Sequence, residues 1–377
     1  MTNKNTKLVY INQTLGMGGA EVFMSDLLSG LQSEGFEVFA YTTSQDFLDL
    51  LREKGVVGER LLVVLDIIGD WKGLAKAAVL SPFGLWQYFQ VVRKNRDADV
   101  FLFSGFVEKL VCSWLGYFFG VRSVWIEFGP LEPIFSKFLS LPKLLYFASK
   151  HLPEKIIVPS ENTLDHLRTV GISPEKLVLI PCGRPDVAQN LKTSQSVAGQ
   201  KIVCVSRLEP GKGQDLLVKA FKIVRQKLPD SKLTIVGEGD FIEKIEGLVD
   251  YYHLEESVEL AGRVPDSLKV MAEAAVCVFP SVWKHEGFGL VTIEAMALGK
   301  PVVAFDHGPG NEIVVDGKTG LLAKSGDVHD LAKKIIRVLE DRDLAESLGR
   351  AGRKRFLEKY QIEKCVREYE TLLHPIL

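Results

Sequence analysis

The sequence predicts two α/β domains of similar size, each a doubly wound parallel sheet with helices on both faces, facing each other across a cleft. Short Val- and Ile-rich apolar runs alternate with helix-length amphipathic stretches along nearly the whole chain. That is the pattern of parallel strands buried on both faces and joined by right-handed crossovers. The alternation breaks once, at 184–200, a polar stretch with Pro185 and Gly199 and no apolar period. A length of 377 residues suits two ordinary domains.

In the first half the candidate strands are Leu8–Ile11, Val38–Tyr41, Leu61–Leu65, Val100–Phe103, Val124–Ile126, Ile156–Val158 and Val178–Ile180. In the second half they are Ile202–Val205, Leu233–Val236, Val258–Ala261, Val276–Phe279, Val302–Phe305 and Leu321–Ala323. The domains are therefore expected at 1–183 and 201–357, with a linker at 184–200 and a final segment at 358–377.

Composition narrows the function. Hydrophobic residues make up 46% and charged residues 25%, an ordinary globular balance, and the net charge of -2 lacks the basic excess of nucleic-acid binders. No signal-peptide-length apolar core follows the polar start, and no apolar run reaches the roughly 18 residues that span a bilayer. The five cysteines, Cys112, Cys182, Cys204, Cys277 and Cys365, are scattered without a CxxC and read as buried thiols of a reducing compartment. A cytoplasmic protein is expected.

Ligands of doubly wound sheets bind beyond the carboxyl ends of the strands, so the segments after each strand carry the chemistry. The first is Gly16-Met17-Gly18-Gly19-Ala20-Glu21, where Gly18 and Gly19 let backbone amides approach an anion at a helix start. It lacks the third glycine of a dinucleotide fingerprint and also suits a plain tight turn. After Ile202–Val205 comes Ser206-Arg207-Leu208-Glu209-Pro210-Gly211-Lys212-Gly213, whose two cations leave the strand end where a diphosphate could sit. Gly237 and Gly239 then form another turn open to close backbone approach.

The sharpest signal follows Val276–Phe279, in Pro280-Ser281-Val282-Trp283-Lys284-His285-Glu286-Gly287-Phe288-Gly289-Leu290-Val291-Thr292-Ile293-Glu294. Glu286 falls in the loop and Glu294 about one turn into a helix. Two carboxylates there can accept hydrogen bonds from sugar hydroxyls, while Gly287 to Leu290 offer free amides to phosphate. Glu294 has apolar neighbours in sequence and would be costly without a partner.

In this order and spacing the chain resembles a retaining glycosyltransferase of family 4, in the two-domain GT-B architecture of Rossmann-like halves. The resemblance rests on Gly18-Gly19-Ala20-Glu21, Arg207…Lys212-Gly213, the Glu286/Glu294 pair, Gly308-Pro309-Gly310-Asn311-Glu312 and Asp316-Gly317…Thr319-Gly320. It implies that Arg207 and Lys212 hold the diphosphate of a UDP- or GDP-sugar and that Glu294 binds the ribose. It implies Glu286 on the donor sugar, amides of Phe288, Gly289 and Leu290 on sugar and phosphate, and backbone near Arg263-Val264 at the nucleobase. The last helix, about 361–373, would cross back onto the first domain. Relatives commonly carry a His after the fifth strand, where this chain has Glu127. Glu127 is expected either as a base or acceptor-hydroxyl ligand, or as a structural residue.

Neither a metal nor another cofactor is expected, since fixed cations and amides can stabilise a departing diphosphate. Asp97-Ala98-Asp99 resembles a metal-binding DxD but lies at the wrong end of its strand. In 130–155 lysines interleave with Phe and Leu. That suits a helix lying on an anionic membrane, which would go with a lipid-linked acceptor at its inner face, and it equally suits a core helix with a solvated edge. The expected activity is transfer of a hexose-type sugar to a glycan or lipid-linked acceptor in polysaccharide or glycolipid biosynthesis. A nucleotide-sugar epimerase, a phosphorylase or a non-catalytic donor-binding subunit are the alternatives.

Overall fold

The structure, a computed structural model, describes residues 6–14, 16–67, 69, 71–189 and 200–374. The chain divides into two units, 1–183 with 362–377, and 184–361.

In the N-terminal unit the apolar runs pair as a seven-stranded parallel sheet. Its strands are β1 (Lys7–Asn12), β2 (Glu37–Thr42), β3 (Val57–Arg60), β4 (Val100–Phe103), β5 (Arg122–Ile126), β6 (Lys155–Val158) and β7 (Leu177–Leu179). Their order is β3-β2-β1-β4-β5-β6-β7. Val100, Phe101, Leu102 and Phe103 are all fully buried, as a strand covered by helices on both faces requires. Trp125, Tyr88 and Tyr146 fill the core beside them.

The expected strand at 61–65 is corrected. The third strand is Val57–Arg60, a largely exposed edge that needs no apolar run, while Leu61 and Leu65 enter the core as irregular chain. The hydrophobic signal therefore pointed one segment too far along.

The C-terminal unit repeats the plan. Strands β8 (Lys201–Val205), β9 (Lys232–Val236), β10 (Val258–Gly262), β11 (Val276–Phe279), β12 (Val302–Phe305) and β13 (Leu321–Ala323) lie in the order β10-β9-β8-β11-β12-β13, all parallel. Leu217, Phe221 and Val224 cover one face together with Leu331 and Ile335. In each sheet the strand order reverses next to the first strand, between β1 and β4 and between β8 and β11. At such a switch point the loops diverge and leave room for a ligand.

Two boundaries differ from the sequence reading. Residues 184–189 belong to the C-terminal unit: the Arg184 amide donates to the Tyr360 carbonyl, and Asp186 accepts from both terminal guanidinium nitrogens of Arg353 at 2.6 Å. The rest of the expected linker, 190–199, lies outside the described residues. The chain re-enters the N-terminal unit at 362 rather than 358. There the helix Ile362–Leu373 packs on the helix Gly19–Ser33, at Gly30, where an added Cβ would come within 2.4 Å of Val366.

Candidate active site

The loops after β8 and β11 meet because those strands are neighbours. Gly213, which starts the helix Gln214–Lys227, has φ +78°, and a Cβ there would stand 1.8 Å from the Pro280 carbonyl oxygen. Only glycine allows that approach. It brings Lys212 to Glu286, with Nζ 2.8 and 3.0 Å from the two carboxylate oxygens. Both side chains are about nine-tenths buried, at 10% and 12% exposure. Ser281 donates its hydroxyl to Glu286 at 2.8 Å, and the Lys212 ammonium lies 4.4 Å over the Trp283 ring. A cation and a carboxylate are thus held at one point with polar capacity to spare.

One turn into the helix Leu290–Ala297, Glu294 accepts from Nε of Arg184 at 2.8 Å, again with both side chains about nine-tenths buried. The guanidinium supplies the partner that an otherwise apolar setting demands. Gly289 caps this helix at φ +93°; its carbonyl takes the Thr292 amide at 3.0 Å, which leaves the Leu290 and Val291 amides of the first turn to meet an anion. Arg207 is different: it is 58% exposed and reaches Glu209 at 2.8 Å. Gln214 fixes its loop by donating to the Ser206 hydroxyl and the Arg207 carbonyl, both at 2.7 Å. Arg263, beside Val264, is exposed and lies 3.6 Å from Glu238.

Gly237 allows the close backbone approach expected at its turn. The space its missing side chain leaves is filled by the Ser206 carbonyl, 1.9 Å from an added Cβ. Only glycine admits that carbonyl, so Gly237 seats the 206–208 loop that carries Arg207.

In the N-terminal unit, Gly18 is the N-cap of the helix Gly19–Ser33, and Glu21 accepts from its amide at 2.9 Å. This is the N3-to-N-cap half of a capping box, which explains the spacing of Gly18 and Glu21, and Gly18 has no side chain to occupy the first-turn amides. Glu127 is corrected. It follows β5 as expected, but its side chain is 4% exposed, ion-paired to Lys109 at 2.9 Å and hydrogen-bonded by the Tyr146 hydroxyl at 3.0 Å. A carboxylate engaged twice in the core is not presented to an incoming hydroxyl.

A buried carboxyl that the motifs did not reveal precedes Lys109 in the chain. Glu108, fully buried near the start of the helix Phe106–Phe119, accepts from the Gln13 amide, and its Oε2 has no hydrogen-bond partner among the described residues. Burial pushes its pKa up to about 7, against the lowering effect of its backbone hydrogen bonds and of Lys109. Asp97 and Asp99, in contrast, tie down the side chain and amide of Lys7 at the far ends of β1 and β4.

Residues 17–186 match the family described as Glycosyltransferase Family 4, and residues 190–355 the one described as Glycosyl transferases group 1. The chain belongs to glycosyltransferase family 4. An uncharacterized glycosyltransferase of Methanocaldococcus jannaschii is 37% identical over 164 residues, covering 43% of this chain and 44% of that protein. A GDP-mannose-dependent alpha-(1-6)-phosphatidylinositol monomannoside mannosyltransferase of Mycolicibacterium smegmatis is 32% identical over 185 residues, 47% of this chain and 48% of its own. The chain thus spans less than half the length of these relatives. The structure of Anabaena HepE in complex with UDP and glucose superposes with a TM-score of 0.83 at 21% identity, covering 98% of this chain and 100% of that one. The fold of this glycosyltransferase is GT-B.

Within the C-terminal unit the glycosyltransferase gathers Lys212, Glu286 and the 287–290 backbone at the β8/β11 switch point, with Glu294 on the adjoining helix. Arg184 and Trp283 were not singled out in the sequence. Trp283 lies in the loop between Pro280 and Glu286. Arg184 sits 110 residues from its carboxylate in a stretch without pattern, and no local signal could have found it.

Proposed function

We propose that this glycosyltransferase moves a hexose-type sugar from a UDP- or GDP-sugar, with retention at the anomeric carbon, to a glycan or lipid-linked acceptor in polysaccharide or glycolipid biosynthesis. The observation that carries the proposal is the Lys212–Glu286 pair at the start of the helix Leu290–Ala297, with its Leu290 and Val291 amides. On donor binding Lys212 and Arg207 turn to the diphosphate, and Glu286 is released to the sugar hydroxyls. Glu294, oriented by Arg184, takes the ribose. As the sugar–phosphate bond breaks, negative charge grows on the leaving oxygen, and the two cations and the helix amides stabilise it without a metal. With Glu127 withdrawn into the core, the base on the acceptor side is the departing phosphate itself. Retention puts it on the same face as the incoming hydroxyl.

HepE, captured with UDP and UDP-glucose, supports a uridine donor, and the mycobacterial relative a guanosine one. Thermal-shift comparison of UDP-, GDP- and ADP-sugars separates them, because a ligand selective for the folded state raises Tm. The deciding experiment follows the selected donor by proton NMR with purified protein. Release of nucleoside diphosphate with a product of unchanged anomeric configuration supports the proposal; inversion, or an intact donor, overturns it. Activity is expected to survive EDTA, and loss restored by magnesium or manganese would remove the metal-free step. We further propose that the enzyme works at an anionic membrane surface through 130–155.

A further inference from the structure

The surface around that segment points further. The helix Trp71–Lys94 buries Ala77, Gly84, Tyr88, Val91 and Val92 against the core. On its outer face, at steps of four and three, stand Lys72, Lys76, Val79, Phe83, Trp86, Gln90 and Arg93. Phe83 and Trp86 are 66% and 64% exposed. A surface helix ordinarily turns charge outward; this one carries a second apolar stripe there, with cations at both ends.

The stripe does not end with the helix. The neighbouring helix Phe106–Phe119 exposes Tyr117 and Phe118, and the helix Leu141–Ser149 beside it exposes Leu144, with Leu139 just ahead at 98%. Ring contacts join the elements, Trp71 with Phe138 at 4.9 Å and Phe89 with Phe119 at 6.2 Å between centroids. Exposed apolar surface spread over three elements marks an interaction site.

Charge selects the partner. Segments 71–94 and 136–150 contain no Asp or Glu, and the only carboxylate of 106–119 is the buried Glu108. Lys72, Lys76, Arg93 and Lys143 are all exposed. A second copy would bring cations against cations with no carboxylate to pair them, whereas acidic headgroups neutralise them. Among the described residues no helix is long and apolar enough to cross a membrane, so the face can only lie upon one.

We infer that the outer faces of the helices Trp71–Lys94 and Phe106–Phe119, continuous with 138–145, dock this protein on an anionic lipid bilayer. Phe83, Trp86, Phe118 and Leu139 enter the acyl boundary, and Lys72, Lys76, Arg93 and Lys143 lie among the headgroups. The inference builds on the membrane contact proposed above and moves its centre to two helices outside 130–155.

The test is sedimentation of the full chain with phosphatidylcholine vesicles, with and without about one third phosphatidylglycerol. The wild type is expected to sediment with the anionic vesicles alone, and the emission of Trp71 and Trp86 to shift to the blue. Phe83→Ser with Trp86→Ser and Phe118→Ser should lower partitioning at least tenfold. Lys72→Glu with Lys76→Glu should also lower it, by about fivefold or more for each cation. Both variants should keep the wild-type circular dichroism and nucleotide binding. No wild-type binding, binding unchanged in both variants, or a lipid-free dimer abolished by the triple variant would each overturn the inference. Donor cleavage is read separately: a protein that cleaves donor but ignores vesicles loses this inference alone, and one that binds vesicles but no nucleotide loses the transfer proposal alone.

Discussion

Glu127→Gln tests the correction that removes this residue from the chemistry. The wild-type carboxylate lies 2.9 Å from the Lys109 ammonium, with side-chain exposures of 4% and 2%. At an effective dielectric of about 20 the gross attraction at that distance is about 6 kcal/mol. Gln keeps the shape and can still accept from the Tyr146 hydroxyl, so the substitution removes little except charge. It leaves the Lys109 ammonium buried without its ion-pair partner, and part of the loss is recovered as the ammonium relaxes toward water. A net destabilisation of about 3–5 kcal/mol is expected, the range for breaking one side of a buried pair. Urea unfolding, followed through the fully buried Trp125, reads the N-terminal unit. Adding Lys109→Met removes the orphaned charge, and the double variant should regain about 2 kcal/mol or more over the single one. Well below its midpoint, Glu127→Gln should transfer sugar within a few-fold of wild type. A Gln variant with wild-type stability and lost transfer would refute this reasoning and return Glu127 to the reaction.

Two further substitutions probe buried carboxyls. Glu108, at about 7 in the fold against an ordinary 4.5, favours its protonated form in the native state, so its contribution is full below pH 4.5 and lost as pH rises through about 7. The loss approaches about 3 kcal/mol; Glu108→Gln should match wild type near pH 4.5 and exceed it by up to that amount at pH 8.5, whereas equal unfolding midpoints at both pH values would contradict the assignment. Glu294→Ala should weaken nucleotide binding by about 1.5–3 kcal/mol, the range for hydrogen bonds to charged groups. A 2′,3′-dideoxy nucleotide should be spared, and equal losses for both ligands would show that Glu294 does not meet the ribose.

The sequence was most legible where burial is symmetric. β4 and β11, covered on both faces, announce themselves as unbroken apolar runs, while β3, an exposed edge, is polar and was displaced to the leucines after it. Spacing alone placed Glu286 in a loop and Glu294 a turn into a helix, because a helix start after a strand is a local matter. Pairing was not legible. Lys212 finds Glu286 through the switch-point adjacency of β8 and β11, and Arg184 finds Glu294 across 110 residues. Glu127 shows a signal that was present and unread. The dipeptide Glu108-Lys109 stands inside the apolar helix Phe106–Phe119, where charges survive only with buried partners. Glu127 is one such partner.

The central claim is that the cluster around Lys212 and Glu286 recognises a nucleoside diphosphate, and titration calorimetry of wild type and Lys212→Ala with UDP, GDP and their free nucleosides tests it most directly. One diphosphate should bind the wild type, and Lys212→Ala should weaken it by about 10- to 150-fold, the equivalent of a lost charged hydrogen bond. The corresponding nucleoside has no phosphate for Lys212 to meet, and its weaker binding should be unchanged. Equal weakening of nucleoside and diphosphate, or no effect on either, would contradict the account.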